Sequence, residues 1–176
     1  MELSKNVYFV GFMGAGKSTI ARRVARIAGV SSLDMDKYIE RSSGSTIPEI
    51  FEQGGEKLFR DIEHRTLEEL SEQGDRMLVS CGGGIIETEE CRELLKDPKN
   101  VVIYLRIDFD SAAKRVGDGS TRPLFKDADK ARSLSERRSP MYEEVADLTI
   151  DVSDKNVWEI SNQAVSFLRE RGILCQ

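Results

Sequence analysis

The sequence predicts an α/β fold: a three-layer sandwich in which helices cover both faces of a five-stranded parallel sheet. Three observations point to it. Five short apolar runs recur along the 176 residues. Segments with helical spacing of apolar residues, roughly 10 to 20 residues long, separate them. The first run ends in a glycine loop that opens directly into a helical pattern.

The elements follow in order. Asn6–Val10 is an apolar run ending at Gly11, as expected of a buried parallel strand. From Lys17 the period becomes helical, with Ile20, Val24 and Ile27 on one stripe and Arg22, Arg23 and Arg26 off it, and Gly29 ends the helix. Ser31–Leu33 is a weaker strand, followed by Asp34-Met35-Asp36. Thr46 is an N-cap with Pro48 in the first turn and Glu49 three residues beyond the cap. A stronger helix over Glu56–Gln73 carries Phe59, Ile62, Leu67 and Leu70 on its apolar side. Met77–Ser80 is the third strand, broken by Gly82-Gly83-Gly84; Thr88–Lys96 is helical, and Val101–Leu105 is the fourth strand. Phe109–Val116 is a helix, Gly117–Lys126 a glycine-rich basic surface loop, and Lys130–Val145 a helix interrupted at Pro140. Leu148–Val152 is the last strand, and in the closing helix Val157–Arg171 the side chain of Trp158 is expected to pack on the sheet. The chain shows no repeat, linker or low-complexity segment, so residues 1–176 are expected to form one domain.

Composition excludes several classes. A charged fraction of 32% and an apolar fraction of 39% suit a globular protein. The net charge of −5 argues against non-specific nucleic-acid binding, which rewards a basic face. No stretch approaches the roughly 20 apolar residues of a membrane span. Met1–Lys5 run into the first strand without a separate apolar signal region, so no targeting peptide is expected. Three cysteines, Cys81, Cys91 and Cys175, are an odd number without metal-ligand spacing, which fits a reducing cytoplasm.

The strongest local signal is Gly11-Phe12-Met13-Gly14-Ala15-Gly16-Lys17-Ser18, which matches G-x-x-x-x-G-K-[ST] at every fixed position. Glycines let the backbone turn around phosphate oxygens, and the helix opening at Lys17 aims its positive dipole end at the same charge. Gly14, Ala15, Gly16, Lys17, Ser18 and Thr19 are therefore candidate ATP-binding residues, with Lys17 reaching the β/γ phosphates and Ser18 ligating Mg²⁺. The motif, after a strand and before a helix, predicts a P-loop NTPase fold. A GTPase would carry N-K-x-D, and Asp154-Lys155-Asn156 lacks both the order and the aspartate. A motor or transporter ATPase would usually be longer and end a strand in aspartate, whereas Met77–Ser80 runs into Cys81 and glycines.

A metabolite kinase needs a carboxylate near the acceptor hydroxyl, cations for the substrate and a basic lid. Asp34 and Asp36, two apart at the end of the second strand, share a face if the segment is extended. One then orients or deprotonates a hydroxyl and the other holds a water on Mg²⁺; alternatively Asp36 caps a helix through Lys37–Arg41. Arg60 and Glu63 are neighbours on one helix face, a spacing also common in surface ion pairs. The Gly82–Gly84 run suits close backbone approach to a ligand. Arg122, in the basic loop, is placed to close over phosphates, and Arg137 and Arg138 are either a carboxylate anchor or a solvated face.

Taken together the chain resembles a shikimate kinase from about Asn6 to Phe167. The motifs occur in that family's order: the loop Gly11–Ser18, Leu33-Asp34-Met35-Asp36, Phe59-Arg60-Asp61-Ile62-Glu63, Gly82-Gly83-Gly84, Thr121-Arg122-Pro123-Leu124, and Arg138-Ser139-Pro140-Met141-Tyr142. The resemblance implies ATP-dependent phosphorylation of the 3-hydroxyl of shikimate, a step toward chorismate and the aromatic amino acids. It implies Lys17, Asp36 and Arg122 as catalytic residues, with Asp36 on the acceptor hydroxyl and Asp34 beside the Mg²⁺ held by Ser18. Arg60 and Arg138 grip the carboxylate, Glu63 positions Arg60, and the glycines Gly82, Gly83 and Gly84 adjoin the substrate, Gly83 offering its N–H. Residues 34–72 form the substrate-binding region, residues 117–126 the lid, and Arg115 and Lys155 flank the adenine, where Val157 stands in place of a proline common in the family. Expected partners are shikimate and ATP, with no nucleic acid or membrane, for a cytoplasmic monomer. Cys81 is expected to be an inert buried thiol. The alternatives are a kinase for another small hydroxy acid such as gluconate, and a nucleotide-dependent regulatory module that has lost catalysis.

Overall fold

Asn6–Val10 (β2) is apolar after its first residue because both faces of the strand are covered; every one of its residues is buried. The computed structural model describes residues 1–117 and 127–175. In it β2 is the centre of a five-stranded sheet of order β3-β4-β2-β5-β6, with β3 at Ser32–Asp34, β4 at Leu78–Ser80, β5 at Asn100–Arg106 and β6 at Leu148–Asp151. All four ladders are parallel, with Phe9 opposite both Ser80 and Ile103. The five strands lie within about two residues of their predicted positions.

A second, two-stranded antiparallel sheet joins β1 (Glu2–Leu3) to β7 (Leu174–Cys175). No periodicity announces strands this short. Their pairing ties the two ends of the chain together, and Leu3 and Leu174 join the continuous apolar core.

Helices flank the sheet. α1 (Lys17–Ala28) begins at Gly16 and ends at Gly29, whose N–H bonds the Ala25 carbonyl in a left-handed cap. It packs on α7 (Val157–Glu170). α2 (Met35–Ser43) and α3 (Ile47–Glu72) pack together, α3 also meets α4 (Glu89–Leu95), and α4 and α6 (Ala128–Val145) both reach β5. α5 spans Phe109–Val116. Among the described residues, no helix is long and apolar enough to cross a membrane.

Several boundaries differ from expectation. Asp34, not Asp36, caps α2, accepting from the Lys37 N–H at 3.3 Å. Strand β3 stops at Asp34 and the helix starts at once, so Asp36 lies in the first helical turn rather than on an extended segment. The capping box of Thr46 and Glu49 forms as expected, with Thr46 N–H donating to Glu49 Oε2 at 2.7 Å. The helix it opens then runs into the expected Glu56–Gln73 helix across a kink at Gly55 (φ 68°, ψ −165°).

Pro140 does not interrupt α6, although an interior proline costs about 3 kcal/mol. Tertiary contacts hold the turn: Arg138 and Tyr142 on either side are buried, and Tyr142 stacks on Tyr104 of β5 at 5.1 Å. Trp158 does not pack on the sheet but is 61% exposed, because Ile160, Ala164, Val165 and Leu168 form the buried face of α7.

Candidate active site

Parallel sheets present their ligand sites at the carboxyl ends of the strands. Here the ends of β2, β3 and β4 open into a cleft with a cavity volume of about 1040 Å³. One end belongs to the phosphate loop. Gly16 has φ 85°, a left-handed conformation that favours glycine, and it caps α1 with the helix N-terminus facing the cleft. Gly14, Ala15, Lys17, Ser18 and Thr19 line the same end. Lys17 Nζ donates to the Gly11 and Phe12 carbonyls at 2.8 and 3.2 Å, which draws the ammonium across the loop.

Ser18 joins the loop to the next two strands. Its Oγ donates to Asp34 Oδ2 at 2.7 Å and lies 3.0 Å from Ser80 Oγ. Asp34 and Ser80 are direct partners in the β3–β4 register, so three oxygen-bearing side chains meet at one corner of the cleft. Ser80 was not singled out from the sequence. The available signal was its place as a polar residue ending an otherwise apolar strand at the ligand edge of the sheet.

The rest of the cleft is lined from α2, α3 and the glycine stretch, which adjoins the loop where an added methyl at Gly83 would lie 3.6 Å from the Gly11 carbonyl oxygen. A methyl group at Gly82 would stand 2.8 Å from Asp36 Oδ1 and 3.2 Å from Glu63 Oε1, so two carboxylates meet the backbone there. Gly84 lies so close under the Arg60 guanidinium that a methyl group there would force the guanidinium to shift. Arg60 is held on both flanks, by Glu56 Oε1 at 3.2 Å and by the buried carboxylate of Glu63. At Gly83 the nearest neighbour of an added methyl would be Arg138 Nη1 at 3.5 Å, and Tyr142 Oη donates to the Gly83 carbonyl. Arg138 is buried and its Nε donates to Glu87 Oε1 at 2.7 Å.

Burial and neighbouring charge compete at Glu63 and Arg60. Burial pushes the Glu63 carboxyl up to about 7, against the pull of Arg60 and with the help of the Asp36 charge. For Arg60, the loss of solvation is outweighed by Glu63 and Glu56, which raise its pKa further. Burial raises the Cys81 thiol well above its ordinary value, which leaves it protonated and unreactive beside the glycines.

The cleft thus brings together Asp34, Asp36, Arg60, Glu63, the three glycines, Arg138 and the loop residues. Arg115 and Lys155 line its phosphate-loop side. Arg115 donates to the Gly14 and Val152 carbonyls and Lys155 to the Asp151 carbonyl at 2.9 Å, with Val157 at the rim. Arg122 and nearly all of the expected lid lie outside the described residues. Glu56 and Tyr142 were not among the candidate site residues of the sequence; the fold brings them to Arg60 and to the glycine stretch.

A family model described as shikimate kinase matches residues 13–169. The shikimate kinase of Dictyoglomus turgidum is 34% identical over 172 residues, covering 96% of this chain and 99% of its own length. The structure of shikimate kinase from Acinetobacter baumannii in complex with shikimate is 35% identical with a TM-score of 0.86, covering 95% of this chain and 94% of that one. A gluconokinase from Sinorhizobium meliloti superposes with a TM-score of 0.57 at 14% identity, over 97% and 95% of the two chains, a likeness of fold alone. The chain belongs to the shikimate kinase family, ATP-dependent kinases that transfer a phosphoryl group to a hydroxyl of shikimate.

Proposed function

We propose that two parts of the cleft divide the reaction, the phosphate loop holding ATP and the glycine stretch holding shikimate with its 3-hydroxyl toward Asp36. The observation that carries this assignment is the meeting of two guanidiniums and two carboxylates on Gly82–Gly84, in the same cleft as the loop. Arg60 and Arg138 supply the charge for the substrate carboxylate, and Gly83 offers its N–H. Asp36 accepts the proton of the hydroxyl as it attacks the terminal phosphorus, and the bond to the β/γ-bridging oxygen breaks to leave ADP. Glu63 positions Arg60 through their ion pair. Lys17 exchanges its carbonyl partners for phosphate oxygens, and Arg122 neutralises charge on the transferring group.

The corner formed by Ser18, Asp34 and Ser80 suits a hard cation. Its donors are all oxygen, and among the described residues no cluster of three His, Cys, Asp or Glu side chains forms a dedicated cage. Mg²⁺ is typically held by one or two protein oxygens together with phosphates and water. Ser18 and Asp34 would hold it, and when bound it screens the phosphate charge. Arg115, Lys155 and Val157 are assigned to the adenine by their place at the rim of the loop side.

Exchanging Asp36→Asn tests the acceptor assignment. ADP release should fall by about a hundredfold or more, while calorimetric ATP affinity stays close to wild type. Undiminished turnover would remove Asp36 from the role of base.

A further inference from the structure

Glu87 follows the glycine stretch by three residues and has no part in the assignments above. Its carboxylate is the meeting point of two arginines from α6. Arg137 Nη1 and Nη2 bind Oε2 and Oε1 at 2.8 Å each, a two-pronged contact, and Arg138 Nε binds Oε1 at 2.7 Å. The Glu87 and Arg138 side chains are 13% and 8% exposed, whereas Arg137 is 54% exposed. The cluster therefore has an outer clamp in contact with water and an inner bond within the protein. Its loop is pinned as well: the Glu87 N–H bonds the Gly84 carbonyl at 3.0 Å, and Arg92 Nη1 holds the Ile86 carbonyl at 2.7 Å. Burial tends to raise the Glu87 carboxyl, but the hydrogen bonds and charges of Arg137 and Arg138 outweigh it and hold the group below its ordinary value. The group is thus an anion throughout the neutral range.

The bond to Nε constrains Arg138 in a specific way. A guanidinium is planar, so a partner at Nε fixes the plane and the direction of the two Nη groups. Here the Nη1 side faces Gly83 and the residue lines the cleft. Without the anion, two adjacent arginines would repel each other and Arg138 would lose the partner that sets the plane of its guanidinium.

We propose that Glu87 is a positioning residue for the acceptor: clamped from outside by Arg137, it orients Arg138 so that its Nη groups meet a carboxylate over Gly83. This rests on Arg138 being a carboxylate anchor, as assigned above. Glu87 itself touches no substrate, and its effect is confined to binding the acid.

Steady-state kinetics of Glu87→Gln, Arg137→Gln and Arg138→Ala test this, each with shikimate and with its carboxamide analogue. Glu87→Gln should raise the KM for shikimate about tenfold, the scale of one charge-assisted hydrogen bond, with the KM for ATP and the thermal midpoint unchanged. The carboxamide, which lacks the charge Arg138 is set to meet, should be used equally by wild type and variant. Arg137→Gln, an exposed change that does not threaten folding, should raise the shikimate KM severalfold in the same selective way. If Arg138→Ala raises the shikimate KM and neither Glu87→Gln nor Arg137→Gln does, the positioning role of Glu87 is overturned and the anchor stands. If Arg138→Ala also leaves it unchanged, the anchor assignment itself fails. Equal losses on acid and carboxamide would mark Glu87 as structural and overturn the proposal.

Discussion

Glu63 shows how burial and charge compete at single residues in this cleft. Its side chain is 2% exposed and its carboxyl is raised to about 7, mainly by burial. The folded pKa lies above the ordinary 4.5, so the folded state holds this proton more tightly than the unfolded chain. That contribution to stability is full below about pH 4.5 and is lost as pH rises through about 7. The stability difference between wild type and Glu63→Gln, from urea unfolding, should therefore narrow in favour of the variant between pH 5 and pH 8. A difference that is constant or widens in favour of wild type would contradict the assignment. Glu63 was legible in the sequence through its spacing from Arg60, but its burial was not, because an i, i+3 ion pair reads the same on a surface. Asp34 and Asp36 were legible as candidates for a reason that holds only in part. The helix starts between them, yet both still line the cleft because the first turn of α2 stands directly on the end of β3.

Among the elements, α3 carries Arg60 and Glu63, the residues proposed for the acceptor, and its shape depends on Gly55. At φ 68° and ψ −165° this residue is where the capped segment from Ile47 turns into the segment bearing Phe59, Arg60 and Glu63. Gly55→Ala should destabilise the protein by about 1–3 kcal/mol, the usual cost of backbone strain at such a conformation. A denaturant midpoint equal to wild type would show that the kink does not need glycine. The glycine stretch makes a different demand, since a methyl group at Gly84 would force the Arg60 guanidinium to shift. Gly84→Ala should push Arg60 aside and raise the shikimate KM about tenfold or more, with the KM for ATP little changed. An unchanged shikimate KM would detach Arg60 from the acceptor. The sequence signalled both helices of α3, the capping box and the triple glycine, because each has a local cause. It did not signal that α6 continues through Pro140 or that Trp158 faces solvent, because burial of Tyr142 and the face chosen by α7 are settled by tertiary packing. The clamp of Arg137, Glu87 and Arg138 was hidden for the same reason, Glu87 lying about fifty residues from the two arginines in the chain.

At the scale of the molecule, the parallel sheet places two chemistries side by side at one edge. β2 and α1 supply a site for phosphates that any P-loop enzyme would share. α2, α3, the glycine stretch and α6 surround it with carboxylates and arginines suited to a small anionic alcohol. The overall fold does not separate this chain from a gluconokinase, whose structure follows the same architecture at 14% identity. Asp36, Arg60, Glu63 and Arg138, each legible in the sequence as part of a motif, line one cleft in the fold. The central claim is that this set selects a carboxylated ring alcohol as the phosphoryl acceptor. Its most direct measurement is ADP release from ATP with shikimate, quinate, gluconate and nucleoside monophosphates tested in parallel at about 1 mM, the upper range of ordinary KM values. Saturable release with shikimate, exceeding that with gluconate or a nucleoside monophosphate by about a hundredfold or more, is the predicted result. Absence of shikimate-dependent ADP release, or preference for gluconate, would contradict it.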